Sequence, residues 1–293
     1  MKPRVIAIIQ GRMSSSRLPG KILADIVGQP MLQRVFTRTS RAATVTETIF
    51  ATTTDPSDDP VAEYCKASGM PFTRGSLYDV LDRYYQTAYQ ARADVVVRIT
   101  ADCPVIDPGL IDEAVNAIWG RFDGMPLPLE GLNRPLMPDE LVFAADLVCN
   151  RLPPPWHRTY PIGLDVEVCT FNALKKAWNE AREPQQREHA MPYFYEGVEL
   201  KKINPRLEYG ISPRGYRVAL LHHITDLGRL RWTVDTAEDL TFIREVFSRL
   251  QGNPDFTWYD VLETIQREPE LTKINANVQH KTLTDIDERN KGL

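Results

Sequence analysis

The feature that most constrains this chain is a short apolar run near its start that leads directly into a loop of small and basic residues. Residues 5–9 read VIAII, a length and β-branched composition typical of one strand buried on both faces. The loop that follows, residues 11–21, is called the cradle below, and it contains glycine, serine and three cations: Gly11, Arg12, Ser14, Ser15, Ser16, Arg17, Gly20 and Lys21. Ligands of open α/β sheets bind beyond the carboxyl ends of strands, so we interpret the cradle as a polyphosphate site.

The cradle matches neither of two common phosphate-binding sequences. No G-x-G-x-x-G follows the strand, which excludes a dinucleotide fingerprint. Gly20-Lys21 is followed by Ile22 rather than Ser or Thr, and Ser15 stands where a Walker loop has its first glycine. From residue types alone, a basic surface turn remains the alternative.

Composition limits the classes of partner. The chain has 293 residues, 43% hydrophobic and 25% charged, as in ordinary globular proteins. Its net charge of −4 provides no general attraction for nucleic acid, so we expect none as a partner. No apolar run approaches the ~20 residues of a membrane helix, and no signal peptide or zinc-type cysteine spacing occurs. We therefore expect a cytoplasmic protein that does not contact the membrane.

Strand-like and helix-like segments alternate along the chain, which predicts an α/β fold with a mostly parallel sheet flanked by helices in three layers. We expect strands at residues 48–53, 94–100, 160–168 and 232–234, and helices at 30–41, 171–182, 236–250 and 258–266. The proline-rich stretch 121–161 interrupts this rhythm and reads as an insertion, with one helix expected near residues 138–140.

Carboxylates follow two of the predicted strands. Asp102 comes directly after the strand at 94–100, and Asp235 ends the strand at 232–234. Carboxylates at strand ends are well placed to hold a metal ion. The simpler alternatives are a turn-forming role for Asp102 and a helix cap for Asp235, with Glu238 completing a capping box.

Six segments together resemble the cytidylyltransferases that activate acidic sugars. The run IIQGRMSSSRLPGKIL is similar to their opening signature, although Ala is usual where this chain has Gly11. Five later segments resemble the family in turn: RGSLYDVLDRY, TADCPVIDP, YPIGLDVEV, REHAMPY and RWTVDTAEDL. Within the family, the resemblance is nearest to the spore coat polysaccharide biosynthesis protein F type.

The resemblance implies a Rossmann-like nucleotidyltransferase domain over residues 1–293 that takes CTP, a small acidic sugar and Mg²⁺. It implies that residues 121–161 and about 185–230 are insertions used for a dimer contact and the acceptor pocket. Catalytic roles would fall on Arg12, Lys21, Asp102 and Asp235, the last two as metal ligands. Nucleotide contacts would come from Gly11, Arg12, Met13, Ser14, Ser15, Arg17, Lys21, Arg74 and Asp79. Acceptor contacts would come from Tyr160, Asp165, Glu167 and His189.

For several of these residues a structural role is the alternative. Arg74 could be a solvated loop residue, and Asp79 could cap a helix or pair with Arg83. Asp165 and Glu167 could lie on the polar face of an edge strand.

The predicted reaction is transfer of CMP from CTP to an acidic sugar of the nonulosonic or 3-deoxy-octulosonic type, with release of pyrophosphate, for surface polysaccharide synthesis. A metal-dependent nucleotide-sugar glycosyltransferase is the nearest alternative, but it usually has a D-x-D pair, whereas Ala101 and Cys103 flank Asp102. A non-catalytic nucleotide-binding protein is the second alternative. The presence of both carboxylates and all three cations argues against it.

Overall fold

The structure is a computed structural model, and it describes residues 3–122, 125–126 and 143–279. The strands are β1 (Val5–Gln10), β2 (Asp25–Ile26), β3 (Gln29–Pro30), β4 (Glu47–Thr53), β5 (Phe72–Gly75), β6 (Val95–Thr100), β7 (Arg121–Phe122), β8 (Met125–Pro126), β9 (Leu147–Cys149), β10 (Glu167–Thr170), β11 (Lys201–Asn204), β12 (Leu207–Ile211) and β13 (Arg217–Leu221). The helices are α1 (Met31–Ser40), α2 (Asp59–Ser68), α3 (Val80–Gln90), α4 (Pro108–Ile118), α5 (Phe171–Glu180), α6 (Pro184–His189), α7 (Pro192–Tyr195), α8 (Ala237–Arg249) and α9 (Trp258–Arg267).

Nine of these strands form one sheet in the order β11-β12-β13-β9-β10-β6-β1-β4-β5. Strands β5, β4, β1 and β6 pair in parallel, which brings the carboxyl end of β1 between those of β4 and β6. Only β10 and β12 of the nine run against the common direction. The predicted α/β fold with a mostly parallel sheet is therefore confirmed, and it places the cradle at the centre of one sheet edge.

Helices cover both faces of the sheet, because β1 is apolar on both sides. Val5, Ala7 and Ile9 pack into one core cluster, which also contains apolar residues of α1, α2, α4, α8 and α9. Ile6 and Ile8 pack into a second cluster with residues of α3, α5 and α7. Alternation of side chains along a strand sends these two sets to opposite faces, so the three-layer arrangement follows from the uninterrupted apolar run.

The helix ends follow from local sequence, with one correction. Asp107 caps α4 as expected: its Oδ1 accepts from the backbone N–H of Gly109 at 2.8 Å. The cap of α8 is not Asp235 but Thr236, and the residue completing its capping box is Asp239 rather than Glu238. Asp235 is therefore not used as a cap.

The expected strand over 160–168 is wrong in its position and its place in the sheet. Strand β10 begins only at Glu167 and lies between β6 and β9, so it is not an edge strand. Asp165 precedes this strand, and Glu167 is buried within it. Residues 232–234 also form no strand; a single bridge joins Ile162 to Arg231 instead.

The two expected insertions differ in how they relate to the sheet. Residues 201–221 contribute β11, β12 and β13 to the main sheet, next to β9. Of residues 121–161, the described part includes the β7–β8 pair and β9, whereas the helix expected near 138–140 falls outside the described residues. A dimer contact through either insertion stays a prediction. Within the described ranges, no helix is long and apolar enough to cross a membrane.

Candidate active site

The cradle folds back on itself immediately after β1. The carbonyl of Met13 accepts from the backbone N–H groups of Ser15 at 2.9 Å and Gly20 at 2.8 Å. Gly20 has a φ of 73°, in the left-handed region that glycine adopts without strain, and a single 3-10 turn, Lys21–Leu23, follows it. This closure turns the Lys21 side chain back under the loop.

Asp58 anchors the cradle to β4, a role that sequence reasoning missed. Its Oδ1 accepts from the backbone N–H of Met13 at 2.7 Å, and its Oδ2 accepts from the Thr52 hydroxyl at 2.9 Å. The carboxylate is fully buried, where its hydrogen bonds must offset desolvation. Because the amides of Met13 and Ser15 already donate to Asp58 and to the Met13 carbonyl, anion contacts in the cradle depend more on side chains than the sequence suggests. The Ser14 hydroxyl is buried with no partner among the described residues.

Gly11, directly after β1, packs against Ala101, directly after β6. A Cβ at this position would lie 2.6 Å from the Cβ of Ala101, much closer than non-bonded carbons approach. The backbone N–H of Gly11 donates to the Ala51 carbonyl, so this residue cannot easily move away. The glycine thus closes the gap between the cradle and the segment carrying Asp102.

Lys21 joins the two predicted carboxylates. Its Nζ lies 2.9 Å from Asp102 Oδ2, 2.9 Å from Asp235 Oδ1 and 2.7 Å from the Val234 carbonyl. The residue is only 8% exposed. Burial opposes its charge, but Asp102 and Asp235 outweigh that effect and raise the pKa of Lys21 above its ordinary value. The structure therefore brings Lys21, Asp102 and Asp235 together, as the sequence predicts.

Two arginines and a second buried carboxylate hold Asp235 in place. Asp235 Oδ2 accepts from Arg17 at 2.9 Å and from Arg231 at 2.8 Å. Arg231 is fixed in turn by Asp239, which is fully buried and accepts from Arg231 Nε and Nη2 at 2.9 Å each. Burial would raise the pKa of Asp235, but Lys21 and the arginines lower it, so the carboxylate is ionised. Sequence reasoning gave Arg231 and Asp239 no role, although both lie in the motif around Asp235.

Two adjoining cavities open above this cluster. The cradle cavity has a volume of 210 Å³ and contains Arg12, Arg17, Lys21, Asp102 and Asp235 in its lining. A second cavity of 220 Å³, called the side cavity below, shares Gln10 and Arg12 with the first and extends toward α3 and α6. Since they share two lining residues, the cavities form one cleft at the carboxyl ends of β1 and β6.

The side cavity is lined by buried arginines that sequence reasoning did not single out. Arg83 is 2% exposed and donates through Nη1 to the Ser76 carbonyl at 2.7 Å, while its Nε and Nη2 have no partner in the described part of the chain. Burial lowers the pKa of Arg83 to about 10. Arg98, from β6, pairs with Glu167. Burial opposes the Arg98 charge, but Glu167 outweighs it and raises the pKa. A buried guanidinium with unused donors is suited to a ligand with acceptor atoms.

Arg74 and Asp79, predicted to contact the nucleotide, have partners of other kinds. Arg74 donates to the Thr53 carbonyl at 2.7 Å and pairs with Asp59 at 2.7 Å, and it is not among the described residues that line the cleft. Asp79 caps α3 and pairs with Arg187 of α6 at 2.5 Å. Asp79 thus joins α3 to α6 beside the side cavity, whereas Arg74 joins β5 to the end of β4 and to α2.

The four residues predicted to contact the acceptor lie at different sites in the structure. His189 lines the side cavity, and burial lowers its pKa, so the ring is neutral at pH 7. Glu167 is buried behind the same cavity through its pair with Arg98. Asp165 pairs with Arg158. Tyr160 lines a separate cavity beside Trp258, where its hydroxyl contacts Glu113 at 3.3 Å. The structure therefore associates His189 and Glu167 with the cleft and separates Tyr160 from them.

Asp102 and Asp235 fit a magnesium site in which the protein supplies only two ligands. Carboxylate oxygens suit Mg²⁺, which commonly takes one or two of them and completes its shell with water and substrate phosphates. Both carboxylates reach the same ammonium group at 2.9 Å, so they are close enough for one cation to lie between them. The described residues contain no group of three or more His, Cys, Asp or Glu side chains suited to a metal. An ion at this place would therefore take its remaining ligands from water and from substrate phosphates.

Comparison with known proteins agrees with this geometry. The family model described as Cytidylyltransferase matches residues 6–208. An uncharacterized protein of Methanocaldococcus jannaschii is 30% identical over 97% of this chain and 100% of its own length. The spore coat polysaccharide biosynthesis protein SpsF of Bacillus subtilis is 26% identical over 91% of this chain and 95% of its own length. The solved structure of a cytidylyltransferase from Leptospira borgpetersenii superposes with a TM-score of 0.72 at 26% identity, over 96% of this chain and 100% of that one.

A cation-lined cleft at the carboxyl ends of β1 and β6, with two carboxylates at its base, defines this fold as a Rossmann-like nucleotidyltransferase. Within that class, the chain belongs to the cytidylyltransferase family, whose model covers more than half of it.

Proposed function

We propose that this protein transfers CMP from CTP to a hydroxyl group of an acidic sugar and releases pyrophosphate, in the synthesis of a surface polysaccharide. The observation that carries the proposal is Lys21, which lies buried between Asp102 and Asp235 at the base of a cavity that Arg12 and Arg17 also line. Three cations that could bind phosphate and two carboxylates that could hold a metal ion thus line one cavity.

The triphosphate would lie over the cradle. Arg12 and Arg17 have the planar donor geometry that binds phosphate oxygens in pairs. Arg17 already contacts a carboxylate at 2.9 Å, so an incoming phosphate would compete for a donor that is held in position. The acceptor hydroxyl attacks the α-phosphorus, the bond to the β-phosphate oxygen breaks, and the hydroxyl proton leaves to solvent. Fixed cations stabilise the charge that develops on the pyrophosphate.

Mg²⁺ on Asp102 and Asp235 would neutralise phosphate charge when bound. Lys21 gives these carboxylates their positions, because its ammonium contacts both of them. Arg231 and Asp239 hold Asp235 from the other side. These are positioning residues, since neither lines the cradle cavity.

The nucleobase would lie in the side cavity, with Arg83 in the role that the sequence suggests for Arg74. Cytosine presents a carbonyl oxygen and a ring nitrogen as neighbouring acceptors, and Arg83 has two buried nitrogens without partners. Arg74 is committed to Thr53, Asp55 and Asp59.

The acceptor would approach past the α6 wall of the side cavity. His189 lies in this wall and is neutral at pH 7, so it can accept from a sugar hydroxyl. Arg98 lies nearby and offers positive charge to a sugar carboxylate. Relatives named for an acidic sugar support this class. The 3-deoxy-manno-octulosonate cytidylyltransferase of Geobacter metallireducens is 40% identical over 114 residues, which are 38% of this chain and 43% of that protein.

The deciding experiment measures pyrophosphate release with Mg²⁺ from CTP, UTP, GTP and ATP, each with a panel of acidic and neutral sugars. We expect release with CTP and an acidic sugar. Release only with neutral sugars or sugar phosphates would overturn the acceptor class. Tight CTP binding without any release would favour the non-catalytic alternative, and hydrolysis or transfer from a nucleotide sugar would favour the glycosyltransferase.

Two variants separate the proposed roles of the side cavity. Arg83→Met is expected to raise KM for CTP by about 10-fold or more, because a charged hydrogen bond contributes roughly 1.5–3 kcal/mol. His189→Gln should instead raise KM for the sugar and leave KM for CTP within about twofold. Equal effects of both variants on the KM values for CTP and for the sugar would contradict the proposed division of the side cavity into a nucleobase site and a sugar site.

A further inference from the structure

A third cavity, here called the α1 cavity, lies away from the cleft, between α1 and the segment that follows α8. It has a volume of 350 Å³ and shares no lining residue with the cradle cavity or the side cavity. Arg34, Arg38 and Arg41 line it. Their spacing along α1 places all three on one face of the helix. Three cations therefore face one enclosed space.

Arg38 is the buried centre of this group. It is 3% exposed and donates through Nε to the Ile106 carbonyl at 2.7 Å and through Nη1 to the Phe256 carbonyl at 3.1 Å. Its guanidinium carbon lies 3.9 Å from the centre of the Phe256 ring. Nη2 is buried and has no partner among the described residues. Carbonyls and a ring hold the guanidinium in place, but they leave one of its donors unused.

The carboxylates near the α1 cavity lie outside its lining: Asp25 acts on the charge of Arg34, and Asp107, Asp255 and Asp260 act on that of Arg38. Arg34 donates to the carbonyls of Ile26 and Val27, which are neutral groups. Arg41 pairs with Asp255 at 3.0 Å, but the Asp255 side chain is 77% exposed. No carboxylate is among the described residues that line the cavity, whereas four uncharged polar side chains are: Gln29, Thr37, Gln251 and Asn253. The cavity thus offers positive charge and hydrogen-bonding groups without an internal counter-ion.

We propose that the α1 cavity binds a small phosphate-bearing anion, separately from the substrate cleft. Guanidinium groups bind phosphate oxygens in pairs, and three of them favour a multivalent oxyanion over a single carboxylate. The volume exceeds what one phosphate ion needs, so pyrophosphate or a small phosphate ester fits. The anion would accept from Arg38 Nη2 and balance the charges of Arg34 and Arg41. The β2–β3 hairpin, which forms the cavity rim at Val27 and Gln29, connects α1 to the cradle.

The test is calorimetric titration of the full chain with inorganic pyrophosphate, at constant ionic strength set with potassium chloride. The wild type should bind two equivalents, one in the cradle and one in the α1 cavity. Gln251→Glu introduces a carboxylate at an exposed residue of the cavity lining and should remove one equivalent or weaken it at least tenfold. Gln90→Glu makes the same charge change at an exposed residue at the end of α3, and it should keep both equivalents.

A second variant separates this proposal from the proposed function. Lys21→Met should no longer bind pyrophosphate in the cradle. It should still bind pyrophosphate in the α1 cavity, the site that Gln251→Glu disrupts. Arg41→Gln, at a half-exposed residue, should weaken the α1-cavity equivalent several-fold while the cradle equivalent stays. If the wild type binds only one equivalent of pyrophosphate, and Gln251→Glu binds it with the same affinity, the proposed α1-cavity site is wrong. Identical titrations of the wild type, Gln251→Glu and Arg41→Gln would overturn it as well.

Discussion

Two buried cations of the cleft, Lys21 and Arg83, are held in opposite ways. Beneath the cradle, Lys21 contacts two carboxylates, and Arg231 contacts Asp235 and Asp239. In the side cavity, Arg83 contacts only backbone carbonyls and keeps two nitrogens without partners in the described residues. A cation that is paired with carboxylates, here called matched, is held in position before any ligand binds. A cation without a carboxylate partner, here called unmatched, keeps hydrogen-bond donors that a ligand can use. The first arrangement suits positioning of phosphate and metal, and the second suits recognition.

The largest expected effect comes from removing the matched cation. Lys21→Met should lower turnover by about 10²–10³-fold, the usual cost of losing a group that stabilises developing negative charge. It should also lower the free energy of unfolding by about 3 kcal/mol, because two partly buried carboxylates lose their shared partner. On sequence alone, a substitution of Lys21 would be expected to leave the fold intact. Steady-state pyrophosphate release and urea unfolding measure the two effects.

The double variant Lys21→Met with Asp235→Asn is the control. It removes one carboxylate together with the ammonium, so it should recover part of the lost stability but none of the lost turnover. Recovery of turnover in the double variant would mean that Lys21 acts only through charge balance, not on the phosphates.

The unmatched cation should show the reverse pattern. Arg83→Met replaces a desolvated charge with an apolar side chain of similar length, and such replacements are often neutral or stabilising, by up to about 1–4 kcal/mol. Stability should therefore stay or rise while KM for CTP increases. Urea unfolding compares this variant with Lys21→Met. A loss of stability as large as that of Lys21→Met would show that Arg83 has partners within the protein that matter to folding.

The smallest expected effect is a pH dependence of stability that involves Asp235, the partner of the matched cation Lys21, and does not involve Arg83. The pKa of Asp235 is lowered in the folded protein, mainly by Lys21 and despite burial. Its contribution to stability is therefore complete above the ordinary carboxylate pKa of about 4 and is lost as the pH falls through the lowered folded value. The stability difference between the wild type and Asp235→Asn should shrink between pH 5 and pH 3. For Arg83→Met the difference should stay constant over the same range, as measured by urea midpoints.

The parts of the site that follow from short sequence patterns could be predicted, and those that depend on distant contacts could not. An apolar run followed by glycine, serine and cations indicates a strand and an anion loop, and strand-end acids indicate Asp102 and Asp235. The contact of Lys21 with both acids spans 81 and 214 residues of chain. The resemblance supplied the motifs, but the ammonium between the two acids is visible only in three dimensions.

Two differences between the sequence-based expectations and the structure share one cause. Arg74 and Arg83 lie nine residues apart in one motif, and sequence alone does not say which guanidinium turns into the cleft. The backbone carbonyls of Thr53 and Asp55 take up Arg74, whereas Arg83 projects from α3 into the side cavity. The alternation of Asp165 and Glu167 likewise predicted an outer face, but β10 lies inside the sheet, so both acids are paired with arginines instead.

The contact between Gly11 and Ala101 links two positions that are 90 residues apart in the sequence. A methyl group at both positions would place carbons 2.6 Å apart, so this backbone accommodates one methyl group and not two. Relatives with alanine at the position of Gly11 are therefore expected to have glycine at the position of Ala101. The two substitutions are epistatic, because the effect of each depends on the other. In a chain of this kind, Ala101→Gly must precede Gly11→Ala. The order of the mutations therefore decides whether the intermediate sequence keeps its substrate cleft.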